Sequence, residues 1–125
     1  MIFVAAAWQG YQGVDLNAVI DLGKTTTISY LSAHFLQDLY SWIFMPEYVT
    51  FSVSADGKHF RLLGKVNNTV PENKWGSIME NFTLRIKPVK ARYVRVLGKS
   101  IINIPRWHKG RGHKAYIFAD EITVK

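Results

Sequence analysis

Apolar and polar residues alternate along much of this chain. Residues 48–54 place Val49, Phe51 and Val53 between polar neighbours, and residues 81–87 repeat the pattern. Because successive side chains of a strand point to opposite faces, the alternation predicts strands with one buried face and one solvated face. β-Branched and aromatic residues predict further strands at 18–22, 26–35, 60–66, 91–97 and 116–124.

Turn-forming residues separate these segments. Asp56-Gly57 predicts a tight turn between two strands, residues 22–24 predict a second turn, and Pro88 predicts the end of a strand. Seven or so short strands joined by turns predict an all-β sandwich or barrel. Segments without strand periodicity are expected to form loops at 8–15, 37–46, 67–77 and 104–114.

Composition narrows the class of protein. A chain of 125 residues with 48% hydrophobic residues fits one globular domain, and the absence of cysteine excludes disulfides and thiolate metal sites. No apolar run reaches the roughly 20 residues that span a bilayer. The net charge is +7, and much of the positive charge falls between Arg85 and Lys114, which favours an anionic partner.

Few residues are suited to catalysis. Hydrolysis of sugars usually needs two converging carboxyl groups, but neighbours such as Asp120 and Glu121 on a predicted strand point to opposite faces. The sequence contains no HExxH or GxSxG motif and no cysteine nucleophile. We therefore expect a protein that is not itself an enzyme.

Four motifs in order resemble those of the discoidin-like, or coagulation factor 5/8 type C, domains. They are residues 21–24, 52–60, 91–96 and 119–122. The resemblance implies a jelly-roll β-sandwich of the galactose-binding type, with about eight antiparallel strands in two sheets. It also implies that Arg92, Arg95 and Asp21 are structural residues.

The chain is also similar to the C-terminal modules of bacterial chitobiase or β-hexosaminidase-type proteins, on three aromatic segments. These are Trp8-Gln9-Gly10-Tyr11, Tyr40-Ser41-Trp42-Ile43-Phe44 and Trp107-His108. This likeness implies a monomeric, non-catalytic module that is covalently linked to a glycoside hydrolase outside the bacterial cytoplasm, in the periplasm, on the cell surface or secreted. Members of the family begin with an earlier strand, so we expect residues 1–125 to form one domain that is truncated at its N-terminus.

A glycan is the ligand that the resemblance implies, with galactose or N-acetylhexosamine as the sugar. Sugar sites combine flat apolar rings with polar groups at the rim. The residues of these types in the predicted loops and the aromatic segments are Trp8, Tyr11, Gln37, Asp38, Trp42, Trp107 and His108. Some of these aromatics could instead cap the open end of the core. Trp75 is a weaker candidate because its loop matches no motif.

Three other interpretations stay open. The basic loop with Arg106, Lys109, Arg111 and Lys114 could hold sulfate, carboxylate or phosphate groups, or it could be a solvated face. An adhesion module would use residues 42–45 as an apolar spike for an anionic membrane, or would bind a sulfated glycan. A structural spacer without a ligand is the third alternative. We do not expect a nucleic-acid partner, since the aromatics lie away from most basic strand residues.

No cofactor is required by this interpretation, but the resemblance implies a structural calcium ion. Glu121 and the carbonyl of Ala119 match the C-terminal half of such a site. Calcium takes about six to eight oxygen ligands, and the usual N-terminal ligands of the family lie upstream of the first residue of this chain.

Overall fold

A computed structural model describes the backbone of residues 3–125 and the side chains of residues 10–125. Its six strands form one antiparallel sheet in the order β1-β6-β2-β5-β3-β4. The strands are β1 Phe3–Gln12, β2 Leu16–Asp38, β3 Tyr48–Ser54, β4 Arg61–Asn67, β5 Ser77–Gly98 and β6 Tyr116–Val124, and a short 3-10 helix covers Leu39–Ser41. The described residues include no helix with the length and hydrophobicity of a membrane span.

The two longest strands, β2 and β5, each run through two layers. Residues 30–38 of β2 pair with residues 77–85 of β5, and β6 lies on the other edge of β2. Residues 16–21 of β2 pair with residues 93–98 of β5, which also pair with β3. With β1 and β4 at the edges, each layer holds four strand segments, which confirms the predicted sandwich.

The core lies between these layers. Gly98 of one layer faces Phe35 and Ile117 of the other, where a Cβ atom would come within 3.1 Å of the Phe35 ring and 3.2 Å of Ile117. Phe35 is fully buried and meets the edge of Phe82 at a centroid distance of 5.4 Å. Burying a side chain of this size contributes roughly 1.5–3 kcal/mol, so the apolar face predicted for each strand holds the layers together.

The predicted Asp56-Gly57 turn is confirmed between β3 and β4. Gly57 has a φ of 77°, a conformation that glycine adopts without steric cost. The Asp56 carboxylate accepts hydrogen bonds from the backbone N–H groups of Lys58 and His59 at 2.8 and 2.9 Å. These bonds and the His59 ring hold the pKa of Asp56 well below its usual range.

The turn predicted at residues 22–24 and the strand end predicted at Pro88 are both wrong. Each position is a bulge within a continuous strand. Gly23, with a φ of 85°, lies inside β2 where the pairing with β5 shifts register between Asp21 and Thr26. Pro88 lies inside β5 within a second shift, since Arg85 and Val89 face β2 residues only two apart. Proline is tolerated at a bulge because it costs the ladder no hydrogen bond.

The predicted loops at 8–15 and 37–46 are partly strand. β1 continues to Gln12, and β2 continues to Asp38. Both segments are short of alternating apolar residues, but each has a neighbouring strand to pair with, β6 for β1 and β5 for the end of β2. Backbone pairing with a distant strand therefore outweighs the local pattern.

Arg92 and Asp21 have the structural role that was predicted. The guanidinium Nε and a terminal nitrogen of Arg92 donate to the two carboxylate oxygens of Asp21 at 2.8 and 3.0 Å. This side-chain bond, with a further bond from the Gly23 N–H, lowers the pKa of Asp21 to about 2. Arg95 donates to the amide oxygen of Asn17 at 3.1 Å, so both arginines tie β5 to β2.

Candidate ligand-binding site

Several loops meet at the end of the sandwich where β2 ends and β5 begins. Asp38 and Ser77 are paired there, and Asp38 exchanges two backbone hydrogen bonds with Ile43, each 3.0 Å long. These bonds close a tight loop over residues 39–42. Trp42, the last residue of this loop, has a φ of 65°, which is uncommon for a residue other than glycine.

A cavity of about 440 Å³ opens among these loops. We call it the aromatic pocket, after the residues that line it: Leu39, Tyr40, Trp42, Trp75, Trp107, His108 and Lys109. Below it, a small apolar cluster separate from the main core contains Leu39, Phe44, Ile104 and Ala115, with Trp42 packed against it. The pocket therefore has a fixed floor beneath partly exposed rings.

Trp75 is the ring that connects the walls of the pocket. Its centroid lies 4.6 Å from that of Tyr40 and 6.3 Å from that of Trp107, whose plane is turned by 72°. Trp75 is 45% exposed, Trp107 is 43% exposed, and Tyr40 is 79% exposed. Side chains of this size are usually well buried in a folded domain, so three exposed rings at one place make this surface the candidate binding site.

His108 fixes the position of the Trp75 ring and of the loops around the pocket. Its Nε2–H donates to the Leu39 carbonyl at 2.7 Å, and its Nδ1 accepts from the Gly110 N–H at 2.8 Å. The ring also stacks on Trp75 with a centroid distance of 5.5 Å and planes only 9° apart. His108 is 3% exposed with both nitrogens engaged. The prediction that it bonds a sugar hydroxyl is therefore wrong, although its ring does line the pocket.

Gln37 is also structural and does not reach a ligand. It is 1% exposed. Its amide nitrogen donates to the carbonyls of Pro71 and Lys74, each at 3.0 Å, and its amide oxygen accepts from the Met45 N–H at 3.3 Å. The prediction that Gln37 bonds the hydroxyl groups of a sugar is therefore wrong. Gln37 instead anchors the loop that carries Trp75.

Of the remaining predicted site residues, some line the aromatic pocket and others lie away from it. Trp42 and Trp107, two residues of the predicted platform, line the pocket, whereas Tyr11 and Asp38 are not among its lining residues. Tyr11 lies on β1 opposite Ile117, and Asp38 accepts a bond from Ser41 at 3.4 Å. The side chain of Trp8 lies outside the described residues. Contact of Tyr11 or Asp38 with a ligand therefore has no support from the pocket.

Sequence reasoning missed Tyr40 and undervalued Trp75. Tyr40 belongs to the aromatic segment 40–44 but is not among the predicted site residues. Trp75 lies in a loop without periodicity. A large aromatic residue in a segment, 71–76, otherwise made of proline, charged, amide and glycine residues was the available signal. The residues next to Trp75 in the sequence, Lys74 and Gly76, provide no apolar side chain to bury it, so a role at the surface is favoured.

The membrane-spike alternative is wrong for residues 42–45. Ile43, Phe44 and Met45 are 7%, 2% and 2% exposed, and side chains inside the fold cannot enter a bilayer. In the basic loop, Lys114 donates to Asn103 at 2.7 Å, and the His113 ring packs 4.8 Å from that of Trp42. The other three cations of this loop, Arg106, Lys109 and Arg111, are exposed.

The two residues proposed for calcium do not form a site by themselves. Glu121 is exposed and accepts a bond from Thr123 at 3.3 Å, and Ala119 lies in the middle of β6 between β1 and β2. Among the described residues, no group of three or more histidine, aspartate and glutamate side chains could hold a metal ion. One carboxylate and one carbonyl fall short of the about six oxygens that calcium requires.

A family model for the F5/8 type C domain matches residues 4–117 of the chain. This confirms the predicted discoidin-like class, because the match covers most of the sequence. Among curated protein sequences, none matches.

Solved structures with the same fold include carbohydrate-binding modules. CpGH89CBM32-5 from Clostridium perfringens, in complex with GalNAc-β-1,3-galactose, has a TM-score of 0.53 and 18% identity, with 86% of this chain and 63% of that chain covered. The CBM32 of AlyQ, in complex with 4,5-unsaturated mannuronic acid, has a TM-score of 0.60 and 12% identity, with 100% of this chain and 93% of that chain covered.

A third structure is the C-terminal domain of a chitobiase from Bacteroides fragilis. Its TM-score is 0.50 and its identity 18%, with 90% of this chain and 63% of that chain covered. The chain thus spans less than two thirds of the Clostridium and Bacteroides structures. Likeness at these identities shows a common fold.

Proposed function

We propose, from the premise that this chain belongs to the F5/8 type C domain family, that it is a non-catalytic module that binds a carbohydrate in the aromatic pocket. The observation that carries the proposal is the group of exposed rings of Tyr40, Trp75 and Trp107 around a cavity of about 440 Å³. Aromatic faces suit the apolar C–H faces of a pyranose. The volume is within the usual range for small-molecule sites.

Catalysis is not part of the proposal. None of the side chains that line the aromatic pocket is an aspartate or glutamate, and a glycosidase needs two carboxyl groups across the scissile bond. The ring nitrogens of His108 are engaged with the backbone, so they cannot act as a free base. Binding without bond cleavage is what these groups support.

The proposed sugar is a galactoside or an N-acetylhexosamine, and the proposed setting is a longer glycoside hydrolase acting outside the cytoplasm. CpGH89CBM32-5 is bound to a disaccharide of GalNAc and galactose, and the Bacteroides module is the C-terminal domain of a chitobiase. A single small sugar buries little area, so we expect weak affinity per site. Linkage to a catalytic domain would raise the local concentration of that domain on a glycan.

A glycan array tests the proposal. The array carries neutral galactosides and N-acetylhexosamines at physiological salt, and it compares the native chain with Trp75→Ala and Tyr11→Ala. Trp75→Ala removes the central ring of the pocket, so we expect affinity to fall at least about tenfold. Tyr11→Ala is the matched control, because Tyr11 is a partly exposed aromatic residue that does not line the pocket.

Circular dichroism of both variants checks that they remain folded. Binding that survives Trp75→Ala in a folded protein would contradict the assignment of the site. Binding that is lost in the folded Tyr11→Ala variant would move the site to β1. No binding of the native chain to any glycan would favour the structural-spacer alternative.

A further inference from the structure

Hydrogen bonds within the protein already engage several polar groups in and around the aromatic pocket. His108 uses both ring nitrogens, and Gln37, whose amide oxygen was a candidate acceptor, is buried and bonded to the backbone. The Trp107 indole N–H donates to the carboxylate of Glu72 at 3.2 Å. The ring nitrogens of His108 and the amide of Gln37 are therefore unavailable to a ligand, whereas the Glu72 carboxylate keeps free lone pairs beside Trp107.

The polar side-chain atoms left free in the lining are mostly donors. They are the indole N–H groups of Trp42 and Trp75, the ammonium of Lys109 and the hydroxyl of Tyr40. Indole and ammonium groups only donate, and the tyrosine hydroxyl both donates and accepts. A lining rich in donors suits acceptor groups on the ligand, and an anionic oxygen is the strongest acceptor that a sugar derivative offers.

Positive charge lies on the same side of the pocket. Lys109 forms part of the wall, and Arg106 and Arg111 are exposed in the same loop. In the described part of the chain, none of these three cations has an ion-pair partner. Two carboxylates oppose this charge nearby in the fold: Glu72, which contacts Trp107, and Asp38, at the end of β2. Neither lines the pocket, and the three cations outnumber them.

We propose that the aromatic pocket selects a pyranose that carries one anionic group, either a carboxylate or a sulfate ester, and that Lys109 binds this group. The inference rests on the proposed carbohydrate function and specifies its ligand class. The rings hold the sugar face, the ammonium of Lys109 donates to the anion, and the two arginines attract it from a distance. Charge-assisted bonds of this kind are about twice as strong as neutral ones.

Titration monitored by NMR tests the inference with three probes: galactose, galacturonic acid and galactose 6-sulfate. We expect one or both acidic sugars to bind about tenfold more tightly than galactose, the effect of one charge-assisted bond. The arm that shows the preference identifies the anion as carboxylate or sulfate. Raising the salt to about 1 M should reduce the preference, since salt screens the charges.

Variants distinguish a direct contact between Lys109 and the anion from the effect of the overall positive charge of the protein. Lys109→Gln should abolish the preference for the acidic sugars, and Lys109→Arg should keep it. Lys24→Gln is the matched control, because Lys24 is an exposed lysine at the β2 bulge that does not line the pocket; it should have no effect.

The outcomes of these experiments distinguish failure of the inference from failure of the proposed function. Equal affinity for all three sugars, unchanged by Lys109→Gln and lost in Trp75→Ala, would overturn the anionic preference and leave the carbohydrate site in place. An acidic preference that Lys24→Gln reduces as much as Lys109→Gln would also overturn it. No binding of any sugar would overturn both proposals.

Discussion

Gln37 should control both the stability of the domain and the position of Trp75, although it cannot touch a ligand. Its three hydrogen bonds join the end of β2 to the carbonyls of Pro71 and Lys74 and to the N–H of Met45. In Gln37→Leu all three are lost. The two carbonyls belong to exposed residues and can bind water, whereas the N–H of buried Met45 is left without a partner, which costs about 1–3 kcal/mol.

With about 1 kcal/mol for each of the two other bonds, the expected loss of unfolding free energy for Gln37→Leu is about 3–5 kcal/mol. A urea m-value of roughly 2 kcal/mol/M converts this to a midpoint lower by about 1.5–2.5 M. Unfolding followed by tryptophan fluorescence measures the shift. Gln12→Leu is the control: Gln12 makes one exposed bond, to the Lys114 carbonyl, and its loss should stay within about 0.5 kcal/mol.

Hydrogen exchange gives a local readout of the same anchor. The Lys74 N–H donates to the Pro71 carbonyl at 3.2 Å, and its protection should fall in Gln37→Leu because both residues lose their attachment to Gln37. A variant with native stability and native protection at Lys74 would refute the view that Gln37 fixes the loop of Trp75.

Two further predictions concern the sandwich itself. Gly98→Ala places a methyl group against Phe35 at 3.1 Å, so overpacking should lower the free energy of unfolding by about 1–3 kcal/mol, measured by urea denaturation. Arg92→Gln should raise the pKa of Asp21 from about 2 toward its usual value, measured by NMR titration of the carboxylate. Because the folded pKa is lowered, the Asp21 contribution to stability is present above pH 4 and is lost as the pH falls toward 2, and this acid-dependent loss should shrink in the variant.

The alternation of apolar residues was enough to predict most strands, since the buried face of a strand such as Tyr48–Ser54 is a property of its own sequence. It was not enough to predict how far β2 and β5 continue. Gly23 and Pro88 look locally like the ends of strands, yet both are accommodated by register shifts against a partner strand. Such pairing depends on residues about 60 positions away or more, which local patterns do not contain.

The site was predictable in residue type and only partly in residue identity. Trp42 and Trp107 were predicted in loops that line the aromatic pocket, because a tryptophan outside a strand is informative by itself. Gln37 was misassigned because an amide that bonds the backbone and an amide that bonds a sugar have the same chemistry. Trp75 was undervalued because its position depends on that amide, which bonds its loop from a different strand.

The indole N–H signals of the tryptophans provide the most direct test of the carbohydrate site. A ¹H–¹⁵N NMR titration with the sugar that the array or the acidic probes identify should shift the indole signals of Trp42, Trp75 and Trp107, with saturation at a single affinity. Trp75→Ala should abolish the shifts of the other two. Saturable binding that leaves these three signals unmoved would contradict the account, because the sugar would then be bound outside the aromatic pocket.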